Sequence, residues 1–193
     1  SLTIAEWHAR SLEAYNRSTS EPHFYFRLSS PEVTARDVPL FDMSRRSLFI
    51  SEPKLNRGIH CRFGMAGIIA EAHYDGSRNM VAELGGPPGH PNSGRRRYIL
   101  AAPDQCDAVY MLPHGHPSGR HSQVDWSRPV DETKFPKFYG MRAHEVILEA
   151  GDVLYIPHYW FHYIMSLGTN YQCNARSGHN NIGADKLKKC GFP

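Results

Sequence analysis

Apolar and polar residues alternate along much of the chain, and a period of two reads as β-structure. "HFYFRL" (23–28) is aromatic and alternating, a strand. From residue 49 strand signals dominate. "GIHCRFGMAGIIAEAHYD" (58–75) is β-rich with glycine punctuation, "NMVAEL" (79–84) is a short strand, and "RRRYILAAP" (95–103) is another with a proline stop. "EVILEAGDVLYIP" (145–157) reads as two strands around an Ala-Gly-Asp turn, and "FHYIMSL" and "YQCNARS" close the β region. One segment follows a helical period instead. "TIAEWHARSLEAY" (3–15) opens with a Thr-x-x-Glu capping box, Thr3 to Glu6, and sets Ile4, Trp7, Leu12 and Tyr15 near one stripe. That predicts an amphipathic helix packed outside a β core.

Between these elements, "SSPE" and "VPLFDMS" within 29–48 read as loops or a short helix, and "GGPPGHPNSG" (85–94) as a loop. Residues 114–138 form a long irregular connection, of the kind that usually carries function or moves. The tail "GADKLKKCGFP" has room for one helical turn. No internal repeat or second domain is visible, so 1–193 is expected to be a single domain with its core at roughly 23–178. Several short strands with one leading helix predict a mainly β sandwich or jelly roll.

Composition narrows the function classes. With 40% hydrophobic and 21% charged residues the chain can bury a core, and 16 glycines with 14 prolines favour a turn-rich β fold over a bundle. A net charge of +3 is too small to imply a nucleic-acid partner. Cys61, Cys106, Cys173 and Cys190 show no CxxC spacing and read as reduced thiols of an intracellular protein. No apolar run is long enough to span a bilayer, so no membrane partner is expected.

The chemistry lies in "EAHYDGSRN" (71–79). On a strand, residues two apart share a face, so His73 and Asp75 aim at one point while Tyr74 turns away. A secure metal site needs a third ligand from elsewhere. His162 in "GDVLYIPHYWFHYIMSL" is the best candidate: it follows a strongly apolar strand and is surrounded by aromatics. Alone it reads as a buried, hydrogen-bonded histidine. Together with the upstream pair it completes two histidines and one carboxylate, the facial triad of non-haem Fe(II) oxygenases. Rival sets are weaker. His158 and His162 are spaced four apart, but Pro157 and β-forming neighbours argue against the helix that pair requires. His114, His116 and His121 share a polar loop with no carboxylate.

Taken in order, "HYDGSRN", "RRRYILAAPDQ", "RHSQVDW", "KFPKF", "GDVLYIPHYWFHYIMSL" and "QCN" resemble the Jumonji-C, cupin-like branch of the Fe(II)/2-oxoglutarate oxygenases. Within it the motifs are most similar to the asparaginyl hydroxylases that modify hypoxia-inducible factor. The resemblance covers roughly residues 3–178. It implies a double-stranded β-helix enclosing iron, with 2-oxoglutarate as co-substrate and dioxygen as oxidant. His73, Asp75 and His162 match the family's iron ligands. Asn79 and Asn174 match asparagines of the co-substrate pocket. Tyr25 falls where a tyrosine reaches the distal carboxylate, and Arg96 where a lysine forms its salt bridge. An arginine suits that role on chemical grounds, since it binds a carboxylate bidentately. Alternation turns Arg96 opposite to Arg95 and Arg97; Arg62 and His60 are the fallback cations.

Some positions depart from the family pattern. Ala70 replaces a threonine near the co-substrate, His121 stands where a glutamine grips the target, and Ala175 and Arg176 follow Asn174 in place of an aromatic. The loop at 85–94 looks like an insertion, and the relatives' dimerising helices have no counterpart, so an oligomer is not required. The metal chemistry is expected to survive these changes, whereas the substrate is not transferable. A protein or peptide is the expected substrate, with His121 and Trp126 as speculative contacts, and a small molecule is the alternative. The competing reading is a non-oxidative metal-binding cupin, or an inactive binding protein of the same fold.

Overall fold

The computed structural model describes residues 2–14, 22–29, 41–42, 46–178 and 184–191. Most of "SSPE" and "VPLFDMS", and Tyr15, lie outside them. Nine strands are described: β1 Tyr25–Ser29, β2 Asn56–Gly64, β3 Ile69–Tyr74, β4 Arg78–Gly85, β5 Arg96–Ala101, β6 Ala143–Leu148, β7 Val153–Ile156, β8 Phe161–Ser166 and β9 Asn170–Ser177. They pair antiparallel into two sheets, one of order β1-β2-β9-β4-β7 and one of order β3-β8-β5-β6. The architecture is the mainly β jelly roll that the pattern predicts, with helix α1 (Ile4–Ala14) outside it.

The sheets have distinct packing on their two faces. Outside the larger sheet, Phe41, Phe49 and Ile50 cover Ile59, Met80 and Ala175. Outside the smaller sheet, Trp126 and Phe135 from the long connection, with Val109 from the short helical turn before it, cover Ala72, Phe161 and Tyr163. Between the sheets an apolar cluster of Val81, Tyr98, Leu100, Leu148 and Ile156 closes one side of the interior. The rest of the interior mixes polar with apolar side chains around the cavity described below.

Helix α1 begins as its capping box predicts. Glu6 N–H donates to Thr3 Oγ1 at 3.2 Å, and Glu6 Oε2 accepts from Thr3 N at 2.6 Å. Its buried face differs from the predicted stripe, because Trp7 and Ser11 are buried while Ile4 is 48% exposed. The large indole sets the docking angle: Trp7 packs edge-on against Phe63 and Tyr171, and its Nε1 donates to Phe24 O at 3.1 Å.

The reading of four reduced cysteines is corrected. Cys61 is bonded to Cys173 and Cys106 to Cys190. Scattered spacing concealed both pairs, which are 112 and 84 residues apart. The β2/β9 register places Cys61 directly opposite Cys173, and the terminal helix Ala184–Lys188 packs beside the turn that carries Cys106. The cysteine argument for a reducing compartment therefore falls away. No described helix is long and apolar enough to cross a membrane.

The loop at 85–94 is tightly seated. A Cβ on Gly86 would sit 2.2 Å from Thr169 O and 2.5 Å from Gly94 N, so only glycine allows this close backbone approach.

Candidate metal centre and the cavity behind it

His73 is the next-to-last residue of β3 and lies directly opposite His162 of β8. Asp75 follows the end of β3, fixed by Tyr159 N–H donating to its carbonyl at 2.8 Å. Sheet pairing thus joins residues nearly ninety positions apart. One ligand atom from each of His73, Asp75 and His162 can be chosen so that all lie within 4.8 Å of one another.

Each imidazole is oriented by a backbone carbonyl. His73 Nδ1 lies 2.7 Å from Glu71 O, and His162 Nδ1 lies 3.0 Å from Trp160 O. A carbonyl can only accept, so each Nδ1 carries the proton and each Nε2 keeps its lone pair. Protonation state agrees with that geometry. Burial, reinforced by His162, pushes His73 down to about 3, and burial also lowers His162. Both rings are neutral at physiological pH, as metal ligation requires.

Burial alone would raise Asp75, but the guanidiniums of Arg176 and Arg120 bring it below its ordinary value. Arg120 Nη1 is 2.7 Å from Asp75 Oδ1, and Arg176 Nη2 is 2.6 Å from Oδ2. Two neutral nitrogen donors and an ionised oxygen donor, converging beside a cavity, fit a divalent transition metal with open coordination positions.

The cavity is about 400 Å³ and runs inward from His73 and His162. Asn79 and Val81 from β4, Arg62 from β2 and Tyr98 from β5 line it. Asn174 Nδ2 donates to Asn79 Oδ1 at 2.8 Å, and Arg62 donates to Asn174 Oδ1. At the inner end Tyr98 OH donates to Gln172 Oε1 at 2.5 Å. Tyr25, on edge strand β1, also lines the cavity, although 45% of its surface is exposed.

Arg96 is the unusual wall residue. It is 2% exposed, and its Nε and Nη1 have no hydrogen-bond partner. Its neighbours point outward as alternation predicts: Arg95 pairs with Glu149 and Arg97 with Glu145. Glu83 is the acid that shares the interior with Arg96. It is 1% exposed, and burial raises it to about 8 despite the attraction of Arg96. At neutral pH Glu83 is mostly protonated, which leaves the Arg96 charge uncompensated and able to receive an anion.

This state has a measurable consequence. Unfolded Glu83 releases its proton near its ordinary 4.5, whereas the folded protein holds it up to about 8. Between these values the folded state binds the extra proton, so stability falls as pH rises and levels off above about pH 8. Glu83→Gln removes that slope. The variant is expected to gain on the wild type between about pH 5 and pH 8, by on the order of 2 kcal/mol. Melting curves across that range test it, and parallel curves would remove Glu83 from the account.

The other expected positions fall on two sides. His121 stacks on His73, with ring centroids 5.1 Å apart at 21°, and the two residues form an isolated β-bridge. Trp126 does not reach the cavity. It packs against Phe138 and Tyr163 in the outer cluster, because an indole fills the space over the smaller sheet. Ala70, where the family pattern has threonine, lines the cavity without a hydroxyl. Sequence reading missed Arg120, Arg176 and Glu83. Alternation from Asn174 could have placed Arg176 inside, but no local signal marks Arg120 in its loop.

The profile of the cupin-like domain family matches residues 7–177. The chain belongs to that family. Its relatives include Jumonji C proteins. The chain is 34% identical over 113 residues to lysine-specific demethylase JMJ30 of Arabidopsis thaliana, covering 58% of this chain and 24% of that one. It is 31% identical over 135 residues to the Gallus gallus tRNA wybutosine-synthesizing protein 5, covering 69% and 36%. It is 29% identical over 103 residues to Jumonji C domain-containing protein 5 of Drosophila melanogaster, covering 53% and 23%. The family member described here thus spans about a quarter to a third of the length of these relatives.

Proposed function

We propose that this protein is an Fe(II)- and 2-oxoglutarate-dependent dioxygenase that hydroxylates a protein or peptide side chain, releasing succinate and carbon dioxide. One juxtaposition supports the reading. The cavity walled by His73 and His162 also contains a buried arginine, Arg96, with two nitrogens that lack hydrogen-bond partners, suited to the far carboxylate of a dicarboxylic acid.

In this reading His73, Asp75 and His162 hold ferrous iron. Arg96 and Tyr25 receive the distal carboxylate of 2-oxoglutarate, Asn79 lines the space between, and Asn174 holds Asn79 and Arg62 from behind. When bound, the iron with its co-substrate supplies the activation of dioxygen for C–H oxidation. The protein contributes placement. The carbonyls of Glu71 and Trp160 fix both imidazole tautomers, Arg176 and Arg120 keep Asp75 ionised, and Val81 and Ile164 exclude water. Residues 1–193 are read as one domain with its core at roughly 23–178.

Similarity to asparaginyl hydroxylases rests on motif residues, and His121 replaces the glutamine that would grip an asparagine. Demethylation of a methylated lysine is the same hydroxylation followed by loss of formaldehyde, and the relatives' names also include action on tRNA. The alternative, a non-oxidative metal-binding cupin or an inactive binding protein, draws on the double arginine pairing of Asp75, which competes with a metal for its oxygens.

Adding Fe(II) and then 2-oxoglutarate to the protein without oxygen is expected to produce a weak visible charge-transfer band. Absence of the band together with substoichiometric iron would defeat the oxygenase reading.

A further inference from the structure

Four arginines meet around the metal centre and cavity mouth. Arg27 of β1 lies directly opposite Arg62 of β2, and its Nη2 is 3.1 Å from His60 Nδ1. Arg176 of β9 lies opposite Asn79, and Arg120 enters from the loop to meet the same aspartate. Among the described residues, Asp75 is the one carboxylate within ion-pair distance of any of them. Four guanidiniums facing one carboxylate leave an excess of three positive charges.

Bound iron and 2-oxoglutarate leave that excess in place, because a divalent cation and a dicarboxylate cancel. Arg176 is only 24% exposed and meets Asp75 through Nη2 at 2.6 Å. Its Nε is buried without a hydrogen-bond partner. Of the four, Arg62 and Arg176 line the cavity of about 400 Å³, and an excess of cations there recruits anions and repels cations.

We propose that the substrate presents a carboxylate to Arg176, Arg62 and Arg27 at the mouth of the cavity, beside the metal. This deepens the oxygenase reading and rests on it. The carboxylate comes from an acidic side chain of a peptide or from a free small acid. Lysine and arginine side chains, methylated or not, are disfavoured because each brings a further positive charge to the site. Planar guanidiniums hold a carboxylate through paired hydrogen bonds, so the group is oriented as well as attracted.

The test is calorimetry on protein loaded with manganese and N-oxalylglycine, which fill the metal and co-substrate positions without turnover. The probes are free glutarate, and three heptapeptides identical except for a central Glu, Gln or Lys. Glutarate or the Glu peptide is expected to bind at least about tenfold more tightly than the Gln peptide, with the Lys peptide weakest. Arg27→Gln and Arg176→Gln should each erase that preference. Preference for free glutarate over the Glu peptide identifies a small acid as the source, and the reverse order an acidic side chain. Equal binding of the three peptides with no binding of glutarate would overturn the proposal, as would an RNA oligonucleotide binding where no carboxylate probe does. Failure of manganese and N-oxalylglycine to bind would instead refute the oxygenase reading beneath it.

Discussion

Asp75→Asn is expected to cost the protein both its metal and several degrees of melting temperature. The two losses have separate causes. Asparagine keeps the shape of the side chain but removes an anionic donor from a set of three. Changes to groups that merely support a metal ligand cost roughly 10–100-fold in affinity, so loss of a ligand charge should exceed about 100-fold. Stability falls for another reason. Arg176 is only 24% exposed, and Asp75 is its sole ion-pair partner among the described residues. A buried cation stripped of its counter-ion costs on the order of 3 kcal/mol, or roughly 6–12 °C in a chain of this size. His162→Ala separates the effects, because it removes a ligand but leaves the Asp75–Arg176 pair in place. It should lose iron to a similar degree with a smaller stability loss. Iron binding by either variant at wild-type affinity would show that these residues are not its ligands.

Legibility in the sequence followed the range of the interaction concerned. His73 and Asp75 could be placed together because strand geometry alone decides which neighbours share a direction. The opposite facings of Arg96 and its flanking arginines were readable for the same reason. The addition of His162 required a long-range pairing that periodicity does not encode; its apolar, aromatic surroundings and the need of the upstream pair for a third ligand singled it out, and the family resemblance then matched it. The strands and the jelly-roll class were legible because alternation is a local property repeated many times.

What escaped depended on register or on loop packing. Cys61 meets Cys173 only because β2 and β9 pair in one register. No spacing rule encodes that. Trp126 looked like a groove residue in a polar connection, yet the connection folds back over a sheet and buries its ring. Ile4 was expected in the helix interface, but docking by Trp7 rotates the face so that a serine is buried instead. The arginines on Asp75 escaped because one lies in a loop, and the other was noted only as a missing aromatic.

Arg96→Ala should move stability and co-substrate affinity in opposite directions. The guanidinium is buried, with two nitrogens lacking hydrogen-bond partners and no carboxylate within ion-pair distance among the described residues. Its removal relieves the desolvation of an unpaired cation, so the variant should melt no lower than the wild type. The 2-oxoglutarate requirement should meanwhile rise about ten- to a hundred-fold, the usual cost of a buried charge-assisted contact. Arg95→Ala and Arg97→Ala serve as controls. Each breaks a partly exposed pair with Glu149 or Glu145 worth at most about 1 kcal/mol, and neither should change the co-substrate requirement. Arg62→Ala decides between the two candidate anchors. Arg62 is already bonded to Asn174, and its loss should weaken co-substrate binding less than loss of Arg96 does. If Arg62→Ala gives the larger effect, the carboxylate sits on the β2 side of the cavity. Arg96 would then be a buried charge whose purpose lies in its relation to Glu83. Titration calorimetry with 2-oxoglutarate on the four variants, beside their melting curves, separates these cases because only a true anchor couples lost affinity to retained stability.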